Sequence, residues 1–254
     1  GYMVSACGLH NFIGSYYHLF NHAFFKALLF LGAGSVIHAV VDEQDLRKYG
    51  KLINLLPFTF ICMTIGSFSL MGLPFLSGFY SKDILLNWAY ADFSPFNQYV
   101  YWLLVLAAFF TSFYSTKLLY LTFFSKSPRF SKTLLKNVHE SDFRFTLPLL
   151  ILTFFSIFSG FFFFDFFIGY GNDMMNLSVS LTKNYFFELE LLSQFRKYVP
   201  FVFVILGSLT YLISTLVYQA SFNFFFKYKK FFKFFIYWKN FFSKKWFFDF
   251  FYYN

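Results

Sequence analysis

Three side chains that can carry protons lie at a regular spacing in an apolar stretch near the start of the sequence. His18, His22 and Lys26 are each four residues apart, which places them on one face of a helix over roughly 12 Å. Histidine exchanges protons near neutral pH, and an intramembrane lysine usually faces partners or water. The spacing therefore predicts a proton-conducting stripe. The alternative is ordinary packing histidines beside a lysine that reaches the membrane surface.

A second candidate proton site follows a break in the next apolar segment. The run 55–88 contains Pro74 between Gly72 and Gly78, and Lys82 and Asp83 come shortly afterwards. Proline removes a backbone donor and clashes with the preceding turn, so we predict a membrane helix that is broken at Pro74. Such breaks need protein or water to satisfy the freed backbone, and they mark ion sites in transporters. The alternative is a surface turn with an exposed lysine–aspartate pair.

The composition is that of a membrane protein. Hydrophobic residues make up 58% of the sequence and charged residues 13%, whereas a soluble domain has about 25% charged residues. Phenylalanine is unusually frequent, at 48 of 254 residues. Because its codons are T-rich, this frequency indicates an AT-rich, organellar gene. Cys7 and Cys62 form no close-spaced metal or redox motif. We therefore expect no cofactor, no metal and no nucleic-acid partner for this chain.

Hydropathy along the chain predicts an all-α membrane protein with about five transmembrane helices. An N-terminal partial helix precedes them, and a basic amphipathic tail follows them. Lys117 lies inside the third span, near enough to its basic end to reach the membrane surface. A short amphipathic piece is also expected at Leu177–Leu192. The predicted segments are the partial helix 1–9, the spans 12–41, 55–88 (broken at Pro74), 99–124, 145–167 and 198–220, and the tail 221–254.

The alternation of five spans assigns the polar segments to two sides. The loops 42–54 and 125–144 and the tail fall on one side, which holds nearly all the excess Lys and Arg. The loops 89–98 and 168–197 fall on the other side and are almost neutral. By the positive-inside rule the first side is the matrix or cytoplasm. This division predicts a transmembrane part at 1–220 and a basic aromatic tail on the matrix side at 221–254.

Three ordered motifs carry a resemblance to a known family. They are the run from His22 to His38, the run from Glu43 to Lys48, and the run from Gly72 to Asp83. Together they resemble the subunit 5 family of mitochondrial NADH dehydrogenase, the antiporter-like subunits of complex I. The resemblance covers residues 1–130 well, and beyond them only hydropathy and the tail support it.

The resemblance implies a proton-pumping role in the mitochondrial inner membrane. It implies His18, His22 and Lys26 on a central hydrated axis, with Lys82 and Asp83 on the exit route. Hydride and electron transfer are then the work of other chains of the NADH:ubiquinone oxidoreductase. The expected partners are other membrane-arm subunits and the lipid bilayer, and a bound phospholipid such as cardiolipin is compatible with the tail.

Members of this family begin much earlier, with a first half that bears further charged residues. We therefore expect a separate chain to carry that half, and a single longer polypeptide is the alternative. Two other function classes stay open. One is a subunit of a multisubunit monovalent cation/proton antiporter, because those proteins share a motif of the His22–Lys26 type. The other is a structural spacer in the membrane arm that kept its charges by descent.

Overall fold

The computed structural model describes residues 1–91, 94–125, 138–168, 194–225, 241–242 and 244–253. Within these ranges the chain is helical and contains no strand, so the predicted all-α class is confirmed. The helices are α1 (Tyr2–Gly8), α2 (Phe12–Ala39), α3 (Pro57–Met71), α4 (Ser77–Ala91), α5 (Pro95–Leu119), α6 (Phe143–Phe162), α7 (Phe164–Ile168), α8 (Gln194–Phe225) and α9 (Phe248–Tyr253).

Four of the described helices are long and apolar enough to cross a membrane. They cover Phe12–Ala39, Pro95–Phe124, Phe143–Phe162 and Tyr198–Leu216. The second of these includes a π-helical turn at Tyr120–Phe124. The remaining predicted span is divided into α3 and α4, each of 15 residues. The partial helix at the start of the sequence corresponds to α1.

The break between α3 and α4 begins at a glycine that ends the first helix. Gly72 has a left-handed backbone with φ of 85°, a conformation that glycine adopts without steric cost. Its amide and that of Leu73 bond back to carbonyls of the last turn of α3. Pro74 cannot continue the helix, and α4 begins at Ser77. The predicted break at Pro74 is therefore confirmed.

The two halves of the broken span pack against each other at backbone contact, and α4 also packs against α6 in this way. A Cβ atom on Gly78 would lie 1.8 Å from the carbonyl oxygen of Ser69, and one on Gly160 would lie 2.6 Å from Cα of Ser77. The Ser77 hydroxyl also donates to the carbonyl of Ser156 at 2.7 Å. Small residues at these positions let the helices approach closely, as is typical of membrane bundles.

Helix α2 is the element around which the first part of the chain packs. It contacts α1, α3, α4, α6 and α7, so the stripe on α2 faces several other helices. At one end of the bundle, Val36 and Val40 of α2 share a core with Tyr49, Leu119 and Val138. Tyr49, from the loop before the second span, and Val138, from the described end of the loop after the third span, therefore lie at the same end of the bundle, as the predicted alternation requires.

The chain forms two compact units, Gly1–Tyr211 and Leu212–Asn254. In the second unit, the end of α8 is followed by α9, and Phe241 contacts the rings of Trp246 and Phe247. The predicted piece Leu177–Leu192, most of the basic loop 125–144 and much of the tail lie outside the described residues. The division into a proton-translocating part and a matrix-side tail stays a prediction.

Candidate functional site

His18 lies in the interior of the bundle, on the face of α2 that meets α4. Its side chain is 2% exposed, and its Nδ1 lies 2.9 Å from the hydroxyl oxygen of Ser81. Its ring also tilts against that of Tyr2, with centroids 5.8 Å apart. A buried polar group of this kind needs its hydrogen bond, because an unmet one costs free energy. The structure thus joins the predicted stripe to the helix that carries Lys82.

The other two members of the stripe become more accessible along α2. The rings of His18 and His22 have centroids 5.7 Å apart, and His22 is half-buried. Lys26 is also half-buried, and its ammonium lies 5.8 Å from the ring centre of Phe30, which is 73% exposed. The three side chains therefore share one face as predicted. Lys26, however, is not enclosed by the described part of this chain.

Lys82 is the most enclosed cation of the described residues. It is 5% exposed, and its ammonium donates to the carbonyl of Leu70, next to the last residue of α3. The ammonium also lies 5.4 Å from the ring centre of Tyr2. The break frees carbonyls at the C-terminal end of α3, where the helix dipole favours a positive charge. The alternative of an exposed surface pair is wrong for Lys82.

A small cavity adjoins Lys82 and Asp83. Its volume is about 30 Å³, and a site that holds one water needs at least ~10–15 Å³. The half-buried Asp83 accepts a hydrogen bond from the amide of Asn87 at 2.9 Å. The cavity wall combines these charged groups with apolar side chains of α5 and α8. Besides the two charged residues it consists of Met71, Gly72, Phe79, Leu86, Ala108, Pro200, Phe201 and Val204.

The arrangement can pass protons between two helices. His18 on α2 and Lys82 on α4 both face Tyr2 of α1, and Ser81 contacts His18 from the position just before Lys82. His18 and Lys82 can each hold or release a proton, and the cavity beside Lys82 has room for water. Among the described residues no cluster of His, Cys, Asp and Glu is arranged to hold a metal. Proton exchange is the chemistry that these side chains support.

Several polar residues at the site were absent from the sequence predictions. Besides Ser81, the fully buried Asn21 accepts a hydrogen bond from Ser159 at 2.8 Å and donates to the carbonyl of Tyr17 at 3.0 Å. The sequence did contain a signal for both residues, because Ser81 immediately precedes Lys82 and Asn21 immediately precedes His22. Their polar neighbours come from distant helices, which spacing along the sequence does not reveal.

Glu140, which was also absent from the sequence predictions, lies away from the site and holds the N-terminal end of α3. Its carboxylate accepts from the amides of Phe58 at 2.8 Å and Thr59 at 3.2 Å, and from the Thr59 hydroxyl at 2.7 Å. A carboxylate in this position satisfies backbone donors and complements the helix dipole. Glu140 thereby fixes the N-terminal end of α3, and the C-terminal end of the same helix binds Lys82.

The polar loop after α2 carries two ion pairs outside the membrane-spanning helices. Arg47 forms a two-pronged hydrogen bond with Asp45 and holds the pKa of that carboxyl at about 2. Lys48 bonds to Glu43 and lowers the pKa of that carboxyl as well. Burial raises the pKa of the Tyr49 phenol, which donates to the carbonyl of Glu43. Lys117 is exposed at the same end, and its approach to the membrane surface stays a prediction.

Comparison with known proteins relates the chain to membrane subunits of NADH:quinone oxidoreductases and of Mrp antiporters. Residues 1–115 match the family described as NADH:quinone oxidoreductase/Mrp antiporter, transmembrane. The NADH-ubiquinone oxidoreductase chain 5 of Phytophthora infestans is 44% identical over all of this chain and 38% of its own length. That of Acanthamoeba castellanii is 46% identical over all of this chain and 37% of its own length.

Further relatives give the same picture. The chain 5 of Dictyostelium discoideum is 48% identical over 83% of this chain and 32% of its own length. The chain therefore spans less than two fifths of the curated relatives that it matches. The matched family region contains every residue of the candidate site on α1, α2 and α4.

Proposed function

Because the chain belongs to the NADH:quinone oxidoreductase/Mrp antiporter membrane family, we propose that it translocates protons in the membrane arm of respiratory complex I. In this role the chain does no redox chemistry itself and serves NADH:ubiquinone oxidation that other chains perform. The relatives are chains of the same oxidoreductase by name, which supports this assignment. His18, His22, Lys26, Lys82 and Asp83 are the proposed proton-carrying residues.

The single observation that carries the proposal is the environment of Lys82. An ammonium that is 5% exposed, at a break in a membrane helix and bonded to a freed carbonyl, is costly to keep without a function. The adjacent cavity gives water a place beside it. A lysine that served only solubility would be exposed, as Lys117 is.

The test is a substitution of Lys82 in the assembled oxidoreductase. Lys82→Gln removes the exchangeable charge and keeps a polar side chain, and we expect fewer protons translocated per NADH oxidised. Lys117→Gln is the matched control, because it removes an exposed lysine from another membrane helix. Vesicles of the inner membrane allow both quantities to be measured together. An assembled Lys82→Gln complex with an unchanged proton-to-NADH ratio would refute the assignment of Lys82.

Lys26 requires a separate test because the described chain leaves it half-buried. We expect Lys26→Ala to preserve assembly and to lower proton translocation, since the stripe would lose one of its carriers. Translocation at the normal ratio in both the Lys26→Ala and the Lys82→Gln complexes would instead favour the structural-spacer function.

Exchange of a monovalent cation for protons is the second candidate function. The family that matches residues 1–115 includes the Mrp antiporters by its description. The two candidates differ in what drives proton movement. In vesicles without NADH, a pH gradient that forms only after addition of Na⁺ or K⁺ would favour the antiporter. A gradient that requires NADH and is indifferent to these cations supports the complex I assignment.

The proposed location is the mitochondrial inner membrane, with the gene in the mitochondrial genome. The proposed division is a transmembrane proton-translocating part at 1–220 and a tail at 221–254 on the matrix leaflet. Seven lysines and one aspartate in the tail give it a charge that anionic lipids such as cardiolipin attract, at about 1 kcal/mol for each basic residue. Cleavage of the tail by a protease added to the intermembrane side of mitoplasts would contradict this placement.

The proposed partners are the other membrane-arm subunits, the bilayer and the residues that correspond to the rest of the relatives' length. The relatives are more than twice as long as the matched region, which supports a need for such residues. Intact-protein mass spectrometry of the native complex shows whether these residues belong to a separate chain, as expected from the sequence, or to one polypeptide that also contains residues 1–254.

A further inference from the structure

Ser81 is a buried hydroxyl placed between His18 and the backbone of α4. It is fully buried, and its oxygen lies 2.9 Å from Nδ1 of His18 and 3.4 Å from the carbonyl oxygen of Gly78. A serine hydroxyl donates one hydrogen bond and accepts others, and its hydrogen rotates to suit its partners. Ser81 therefore has two arrangements available with the same heavy-atom positions.

The two arrangements hold different forms of the His18 ring. When Nδ1 carries no proton, the Ser81 hydroxyl donates to it, and the neutral ring has its proton on Nε2. When Nδ1 carries a proton, the ring donates to the Ser81 oxygen, and the hydroxyl hydrogen turns to the carbonyl of Gly78. In this second arrangement Nε2 can be bare, which gives a neutral ring, or protonated, which gives a cation with two donor N–H groups. The second arrangement therefore lets Nε2 gain or lose a proton while the Nδ1–Ser81 hydrogen bond stays the same.

We propose that Ser81 is a positioning residue that accepts a hydrogen bond from a protonated Nδ1 of His18 in both the neutral and the cationic ring, so that Nε2 is the nitrogen that exchanges protons. The inference rests on the proposed function, and it assigns a role to a residue outside the stripe and outside the Lys82–Asp83 pair. Of the titratable side chains, Tyr2 and His22 face His18 from α1 and α2, and Lys82 is the next residue along α4. Ser81 is thus a direct hydrogen-bonded link between the stripe and the broken helix.

Ser81→Ala and Ser81→Cys in the assembled oxidoreductase test the inference. Alanine removes the hydroxyl, and cysteine retains most of the volume but hydrogen-bonds weakly. A net hydrogen bond is worth about 1 kcal/mol, or about fivefold in an equilibrium constant. We therefore expect both variants to lower the rate of NADH-driven proton translocation about fivefold, while Ser81→Thr, which restores a hydroxyl, recovers a large part of it.

Ser115→Ala is the matched control. Ser115 is 2% exposed in another membrane helix, and its hydroxyl donates only to its own helix, at the carbonyl of Thr111 at 2.7 Å. We expect its removal to leave proton translocation unchanged. A normal rate in Ser81→Cys or Ser81→Ala, beside a lowered rate in Lys82→Gln, would overturn the role of Ser81 and leave the proposed function intact. Normal rates in all of these variants would overturn both.

Discussion

A substitution at Gly78 tests the backbone contact that holds the broken helix together. The added Cβ of Gly78→Ala would lie 1.8 Å from the carbonyl oxygen of Ser69, whereas real Cβ contacts essentially never fall below 3.0 Å. The helices must therefore separate by at least 1.2 Å, the difference between the two distances. No side-chain rotation relieves a clash with backbone, so we expect the upper end of the usual overpacking cost, about 3 kcal/mol. The separation also lengthens the 3.1 Å bond from the Gly78 amide to the Ser69 hydroxyl.

The assay is thermal unfolding of the purified complex, monitored by the dissociation of this chain from it. For a chain of this size, about 3 kcal/mol corresponds to a midpoint lowered by roughly 6–12 °C. Gly34→Ala is the matched control, because a Cβ at Gly34 of α2 would meet nothing within 4 Å. Alanine is also the better helix former by about 1 kcal/mol, so this control should be unchanged or more stable. Equal midpoints for Gly78→Ala and Gly34→Ala would refute the close approach of α3 and α4.

Two further predictions concern groups outside the membrane-spanning helices. Glu140→Ala should destabilise the N-terminal end of α3 by ~1 kcal/mol and speed hydrogen exchange of the Phe58 amide. Asp142→Ala is the control, because it removes no capping hydrogen bond and should leave this exchange rate unchanged. Equal exchange of the Phe58 amide in both variants would contradict the role of Glu140 as a cap. The carboxyl of Asp45 has its pKa lowered to about 2 by Arg47, so its contribution to loop stability is present above the unfolded pKa near 3.8 and is lost as the pH falls through about 2. Protection of the Arg47 amide should accordingly stay constant from pH 5 upwards, and a loss of protection at pH 5 would show that the ion pair is absent.

The features predictable from sequence were those set by spacing along one helix. The four-residue steps from His18 to Lys26 determine a shared face, and Pro74 with Gly72 determines the break, since both effects act within a few residues. The burial of each stripe residue was not predictable, because it depends on the helices that surround α2. Spacing gives Lys26 the same face as His18, but the packing of α1 and α4 encloses only His18.

Contacts between distant segments were equally beyond reach of the sequence. Ser81 meets His18 across 63 residues, and Glu140 meets the start of α3 across 81 and 82 residues. Such pairs depend on how far each helix is rotated about its axis, and a hydrophobic pattern that is apolar nearly all round leaves that rotation undetermined. The family resemblance supplied the proposed function of the stripe and the break, and geometry added the residues that connect them.

The length of α3 sets how the membrane voltage divides at the break. From Pro57, beside the cap, to Leu70, which binds Lys82, a helix along the bilayer normal rises roughly 20 Å, two thirds of a hydrocarbon core about 30 Å thick. A full elementary charge crossing the membrane gains or loses about 2.3 kcal/mol per 100 mV. If Lys82 exchanges protons as proposed, a proton that moves between the depth of the capped end and Lys82 carries about 1.5 kcal/mol of that electrical work per 100 mV, and the remaining step to the opposite surface carries only about half as much. The proposed role of Lys82 thus predicts that most of the voltage dependence of proton movement lies on the longer side of the break.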